Sequence, residues 1–243
     1  MKKIRYNTLV PICLFAFGVT SAEAAYTVLE NGVTDGGTVT GRVTFTGARP
    51  EPEMLVVDED AAACGGDRPA GNMLVNQDGG IKNVVLSIKG VKSGKPWGFS
   101  EEFVYDQVNC TFVPHVLLMQ PRKSGVVKNS DSIGHNFHTI SKGVFNTNKK
   151  INAAAQMAVK GNKIRRPGIV RVKCDIHSWM SGWWYVAETP YAVLTDENGG
   201  FSITDIPAGS YTVKIWHEVL GESEQSVVVE ASGTTEINVS LGY

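Results

Sequence analysis

Seven residues, Cys174-Asp175-Ile176-His177-Ser178-Trp179-Met180, gather a thiol, an imidazole and a thioether. A second imidazole stands upstream in His135-Asn136. If these donors share one ion, the segment carrying His135 has to lie beside the 174–180 bend. That requirement limits the fold more than composition does. Val170, Val172 and Cys174 alternate with Arg171 and Lys173, so the approach to the bend reads as a strand whose thiol points to the apolar side. A dry interior at that point keeps water off a bound metal.

Two imidazoles, one thiolate and a weak axial thioether form a ligand set that serves copper in both of its oxidation states. The candidate ligands are His135, Cys174, His177 and Met180. The neighbouring Asn136 has an amide that can brace the ligand loop. His138 is the rival ligand, although residues three apart on a strand face opposite sides. Zinc held by His135, His138, Cys174 and His177 is an alternative that leaves Met180 idle. A third reading is a buried cysteine and surface histidines with no metal at all. His115 is either a second metal contact or a surface strand histidine, with the surface reading favoured.

The rest of the chain has the cadence of short strands and turns. Val39, Gly41, Val43 and Phe45 alternate with threonines and Arg42 over Thr38 to Gly47. Val84, Leu86 and Ile88 mark a second strand, and Gly90 to Ser100 reads as a linker. Phe112 to Met119 reads as one strand, followed after a polar bend by Asn129-Ser130-Asp131 as a turn. Ile151 to Val159 has the alanine content of a helix, but its surroundings favour an extended or irregular piece. In the tail, Tyr191–Thr195, Phe201–Thr204, Tyr211–Trp216, Gln225–Glu230 and Thr235–Ser240 all read as strands. Asp196-Glu197-Asn198-Gly199-Gly200 and Pro207-Ala208-Gly209 supply the turns between the first three. The fold class expected is all-β.

At the N-terminus, Lys2, Lys3 and Arg5 precede a short apolar run and then Ala22-Glu23-Ala24, the pattern of a cleavable export signal over residues 1–24. A mature chain starting at Ala25 in the periplasm is expected, with no integral membrane segment after cleavage. Cleavage leaves Cys64, Cys110 and Cys174, an odd number in an oxidising compartment. With Cys174 in the ligand motif, Cys64 and Cys110 are the candidate disulfide, with unpaired thiols as the alternative. Charge is unevenly spread. Pro121 to Lys173 carries twelve Lys/Arg and one acid, Asp131, against a formal net charge of −1 for the chain. A one-signed face can steer a partner of opposite charge, or can simply be solvated.

His135-Asn136-Phe137-His138 and the 174–180 segment resemble the two ligand segments of the cupredoxins, and the short second loop is most similar to the amicyanin-like members. Phe112-Val113-Pro114 and Asn129-Ser130-Asp131 resemble the strand and turn preceding the first histidine in plastocyanin-like members. Over about 103–189 the resemblance implies a Greek-key cupredoxin β-sandwich with copper near one end and His177 as the electron exit. Asp175 beside the thiolate and Ile176 in place of a common proline depart from the pattern. Separately, Tyr191 to Phe201 with Ile206-Pro207-Ala208-Gly209-Ser210-Tyr211 resembles the carboxypeptidase regulatory-like (transthyretin-like) β-sandwich, which usually opens with a strand like Gly37 to Val43. The simplest organisation is a discontinuous outer sandwich, 26–100 plus 190–243, with the cupredoxin at 103–189 inserted; modules in tandem are the alternative.

The function expected is that of a periplasmic carrier holding one copper ion and passing single electrons. The alternative is a copper chaperone, store or sensor on the same ligands. A third class is a non-redox surface or carbohydrate-adhesion protein built on the outer sandwich. Trp179, Trp183 and Trp184 suit either an apolar rim for docking or core packing between the sandwiches. An acidic redox partner such as a cytochrome or dehydrogenase is expected, and no nucleic acid. An enzyme is not expected: the chain has five histidines in all, too few for an additional catalytic copper cluster, and lacks a haem attachment motif or phosphate loop.

Overall fold

The computed structural model describes residues 26–243; the proposed export signal lies outside the described residues. Almost every regular element is a strand. Among the described residues the exceptions are the one-turn helix Ala61–Cys64 and the 3-10 turn Gly161–Lys163. Among the described residues no helix is long and apolar enough to cross a membrane.

Four sheets carry the architecture. A five-stranded sheet runs Thr147–Ile151, His135–Ser141, Gly168–Lys173, Ser181–Val186, Val116–Met119 in spatial order. A four-stranded sheet runs Gln156–Val159, Gly125–Lys128, Phe103–Val108, Thr111–Val113. Their inward residues share one core, in which Phe103, Tyr105, Val127, Phe137, Val170 and Trp184 are buried. Period-two alternation thus becomes two sheets face to face.

The other two sheets are built from both ends of the chain. Ala192–Leu194, Val85–Lys89, Gly209–His217 and Gly221–Val229 form one; Gly200–Ile206, Gly37–Phe45 and Thr234–Leu241 form the other. Val39, Val43, Leu86, Ile203, Val213 and Val239 fill the space between them. All five tail segments that alternate in sequence are strands here. The Asp196 turn closes with the Gly200 N–H donating to the Asp196 carboxylate at 2.8 Å, and Gly199 takes φ 76°, which glycine adopts without strain.

The two pairs of sheets meet at a small cluster of Val85, Val116, Tyr185, Ala187, Ala192 and Trp216. Trp183 of the inner sheets packs edge-on against Trp216 of the outer ones, centroids 5.4 Å apart.

Two segments differ from the reading of the sequence. Phe112–Met119 is two strands broken at Pro114, which has no N–H to continue a ladder. Gly90–Ser100 is less a linker than a tied wrap. Ser93–Gly94 pairs in parallel with Thr27–Val28, and the Tyr26 hydroxyl donates to the Lys95 carbonyl at 2.7 Å. The segment from Asp58 to Asn76 contains the short helix Ala61–Cys64, ended by Gly65 at φ 79°. The alanine-rich stretch after Ile151 is extended, with Gln156–Val159 paired to Gly125–Lys128.

Candidate metal centre

The strands Gly168–Lys173 and Ser181–Val186 form a hairpin with Lys173 opposite Ser181, so residues 174–180 are its loop. The Met180 N–H donates to the His177 carbonyl at 3.0 Å, and the Cys174 N–H to the Met180 carbonyl at 3.2 Å. These bonds curl the loop back on itself. On the other side of Gly168–Lys173 runs His135–Ser141, with His138 opposite Lys173. That register carries His135 past the strand end and up against the loop.

His135, Cys174 and His177 converge there. One donor atom from each lies within 4.8 Å of the others, and all three side chains are buried. The two imidazole Nδ1 atoms face each other at 2.9 Å, and the Cys174 sulfur is 3.9 Å from the nitrogen of His177. The opposite edge of each ring is held by a carboxylate. His135 Nε2 donates to Asp131 at 2.8 Å, and His177 Nε2 donates to Asp60 at 3.0 Å. With the proton fixed on Nε2, each Nδ1 presents its lone pair inward. The Cys174 sulfur accepts the Asn136 N–H at 3.2 Å and the His177 N–H at 3.5 Å. Two inward lone pairs and a sulfur, closed off from water, fit a cation between them. Met180, the last residue of the loop, is buried in the inner core.

Burial, and secondarily the charge of His177, hold the His135 imidazole below its ordinary pKa, against the hydrogen bond and charge of Asp131. Asp131 is itself anchored by the Asn109 N–H at 2.6 Å and the Cys110 N–H at 2.9 Å. Asn129 supports the same turn, its amide donating to the carbonyls of Ile133, Ile151 and Asn152.

Other candidates stand elsewhere. His138 is turned outward, as alternation requires, and pairs with Asp175 at 2.9 Å, so the zinc set drawn from the sequence is not assembled. Lys173 and His138 together hold Asp175 well below the usual carboxylate range. His115 is neither a ligand in this cluster nor a free surface histidine. It pairs with Glu218, whose other oxygen accepts the Trp183 indole N–H at 2.7 Å. The Asn136 amide does not reach the ligand loop directly. It donates to Asn148 at 2.8 Å, and Asn148 in turn donates to Asp175 at 2.7 Å. Cys64 and Cys110 form a disulfide, Cα atoms 5.3 Å apart.

His177 itself departs from the exit role that the resemblance implies. Its ring is 0 % exposed, closed over by Asp60. The three tryptophans divide. Trp184 is buried between Phe103, Tyr105 and Phe137; Trp183 faces the outer sheets; Trp179 lies beside His177, centroids 5.1 Å apart. Asp60 and Asp131 were not legible as site residues. The available signals were an acid four residues before a ligand histidine and an acid four residues before a cysteine.

No curated protein matches the chain in sequence. Among solved structures, a purple cupredoxin from Nitrosopumilus maritimus is similar at 17 % identity and TM-score 0.30, covering 35 % of this chain and 100 % of that one. A copper-containing nitrite reductase from Thermus scotoductus SA-01 is similar at 18 % identity and TM-score 0.33, covering 42 % of this chain and 25 % of that one. A P52G mutant of amicyanin is similar at 16 % identity and TM-score 0.31, covering 42 % of this chain and 97 % of that one. Residues 185–242 match the sequence profile of the carboxypeptidase regulatory-like domain.

Proposed function

We propose that this chain is an exported mononuclear copper protein of the type 1 kind, acting as a one-electron carrier between redox partners in the periplasm. The observation that carries the reading is the convergence of His135, Cys174 and His177 at one buried point, each imidazole backed by a carboxylate. His135, Cys174 and His177 would hold the ion, with Met180 as a further, weaker sulfur donor. The bound copper would supply reversible one-electron chemistry. Asp131 and Asp60 orient the rings, two backbone N–H groups hold the sulfur, and burial excludes water. Export is supported by the basic and apolar start of the chain and by the Cys64–Cys110 disulfide, which suits an oxidising compartment.

The Lys/Arg-rich stretch from Pro121 to Lys173 supports an acidic protein partner such as a cytochrome or dehydrogenase. Association with such a partner should slow as salt rises, since screening removes steering. An on-rate flat across salt would remove the basic face from the proposal.

A second reading is a copper store, chaperone or sensor. The covered ring of His177 favours it, because a carrier ordinarily needs an exposed ligand edge. One experiment separates the readings: metal analysis with optical and EPR spectra of the purified, copper-loaded protein, followed by redox cycling. A carrier is expected to show intense visible thiolate-to-copper absorption that bleaches and returns reversibly. A coloured protein that does not cycle speaks for storage or sensing, and a colourless copper-loaded protein speaks against the type 1 site.

A further inference from the structure

The segment Met54–Pro69 sits in sequence between two strands of the outer sheets, yet Leu55 and Val57 pack on the inner core. At its tip is Asp60, in the left-handed region at φ 50° and ψ 30°, which a non-glycine residue occupies only at some cost. Its carboxylate closes the outer edge of His177. Asp60 is also the start of the helix Ala61–Cys64, and its carbonyl accepts the Cys64 N–H at 2.9 Å. Cys64 is bonded to Cys110, and the Cys110 N–H donates to Asp131, the carboxylate behind His135. Arg68 ties the same point together, reaching the carbonyls of Cys64 at 2.6 Å and Cys110 at 3.1 Å. One covalent bond therefore anchors both carboxylates that orient the two imidazoles. Beyond the disulfide, the Arg68 contacts and the packing of Leu55 and Val57, the strap is lightly held, with Met54 and Val56 mostly exposed and a two-residue pairing of Met54–Leu55 with Arg68–Pro69.

We propose that Asp60 is a positioning residue for His177, carried on a strap over the metal pocket, and that the thiol/disulfide state of Cys64–Cys110 sets how readily that strap opens and the metal exchanges. The proposal rests on the metal reading above and adds its regulation. Opening by reduction is a two-electron step with a dithiol as reductant. The Cys64–Cys110 bond breaks, each sulfur takes a proton to become a thiol, and the dithiol is oxidised to its own disulfide. Both sulfurs are buried, so the reductant gains access only when the strap lifts, and reduction then keeps it from reseating. In the closed state the Nε2 proton of His177 is held by Asp60 and the Nδ1 lone pair stays inward. In the open state the ring is free to turn and the pocket meets solvent.

The test has two arms. In the metal-free protein, the His177 Nε2–H resonance is expected to be slow to exchange in the wild type. It should be lost in Asp60→Ala and partly restored in Asp60→Asn, which keeps an acceptor oxygen. In the Cu(I)-loaded protein, withdrawal of copper by bicinchoninate is followed with the disulfide intact and after reduction verified by mass. Asp60→Ala is expected to speed withdrawal about ten-fold, the scale on which outer contacts of ligand histidines act. Reduction is expected to speed the wild type similarly and to add little in Asp60→Ala. A persistent Nε2–H in Asp60→Ala overturns the positioning role. Equal acceleration by reduction in both proteins, or none in the wild type, overturns the coupling. A chain that takes up no copper sinks the metal reading and the exchange control with it. Copper uptake with unchanged withdrawal rates sinks the strap alone.

Discussion

The two pairs of sheets use the same short strands but fill them differently. Between the outer sheets lie Val, Ile and Leu almost throughout, with Tyr191 and Phe201 the aromatic members of that buried cluster. Between the inner sheets an aromatic stack centred on Trp184 leads to a buried thiol, and the two imidazoles are buried beside it. Burying polar groups is costly unless each finds a partner. Around its thiol and imidazoles the inner pair meets that demand with Asp131, Asn129, Asp60 and two backbone N–H groups, while the Tyr105 hydroxyl and the indole N–H groups of Trp179 and Trp184 are buried without a partner. The outer core has no such constellation, so its contribution is apolar burial. Rigidity with polar precision belongs to one half and bulk stability to the other.

The largest effect should separate the halves outright. Cys174→Ser is expected to abolish the visible absorption of the copper-loaded protein, because the thiolate supplies the transition. Optical spectra of the loaded variant check it, and retained intensity would place the chromophore elsewhere. Next come core truncations. Ile215→Ala in the outer core should cost about 2–5 kcal/mol in denaturant unfolding, and Trp184→Ala in the inner core about 3–5 kcal/mol. The comparison predicts that the first leaves the metal spectrum unchanged and the second shifts it. A spectrum moved equally by both would erase the division of labour.

How far this division could be read from the residues depended on the reach of each signal. Alternation in Thr38–Gly47 and in the tail, with turns such as Asn198-Gly199-Gly200, is local, and those strands are where the pattern put them. His135 and His138 on opposite faces follow from the same period of two. What local patterns missed is long-range. Asp60 meets His177 across 117 residues, and Glu218 meets His115 across 103. A carboxylate in a loop has no periodicity to announce its partner. The break at Pro114 was legible in principle, since proline cannot donate to a ladder.

Glu218 offers a finer probe of how the halves are joined. Its two oxygens hold His115 and Trp183, and its side chain is only 8 % exposed. Glu218→Ala leaves the indole N–H and the imidazole without that partner. The expected loss is about 1–3 kcal/mol, the cost of orphaning buried polar groups. If the halves are coupled through this contact, the variant should melt in two steps where the wild type melts in one, seen by comparing aromatic near-UV signals with backbone signals. Coincident transitions in the variant would assign the coupling to the apolar contacts around Trp216 instead.

The smallest effect concerns His217, a histidine buried in the outer half. Its Nδ1 accepts the N–H groups of Val219 and Leu220, each at 3.3 Å, and so caps the turn between Gly209–His217 and Gly221–Val229. Burial, and secondarily His115, lower its pKa from the ordinary 6.5, against the charge of Glu218. A folded-state pKa below the unfolded one means that above about 6.5 both states are neutral and nothing is lost. As pH falls below that value the unfolded chain takes up a proton that the folded protein resists, so stability declines. Metal-free protein should therefore lose stability as pH falls below about 6.5, and His135, lowered for the same first reason, contributes with the same sign. His217→Asn retains an acceptor for the turn but cannot titrate. It should flatten part of that slope while leaving stability at pH 8 within about 1 kcal/mol, the value of a typical hydrogen bond. An unchanged slope would assign the whole pH response to the inner half, and would make the outer half as indifferent to protons as its aliphatic core suggests.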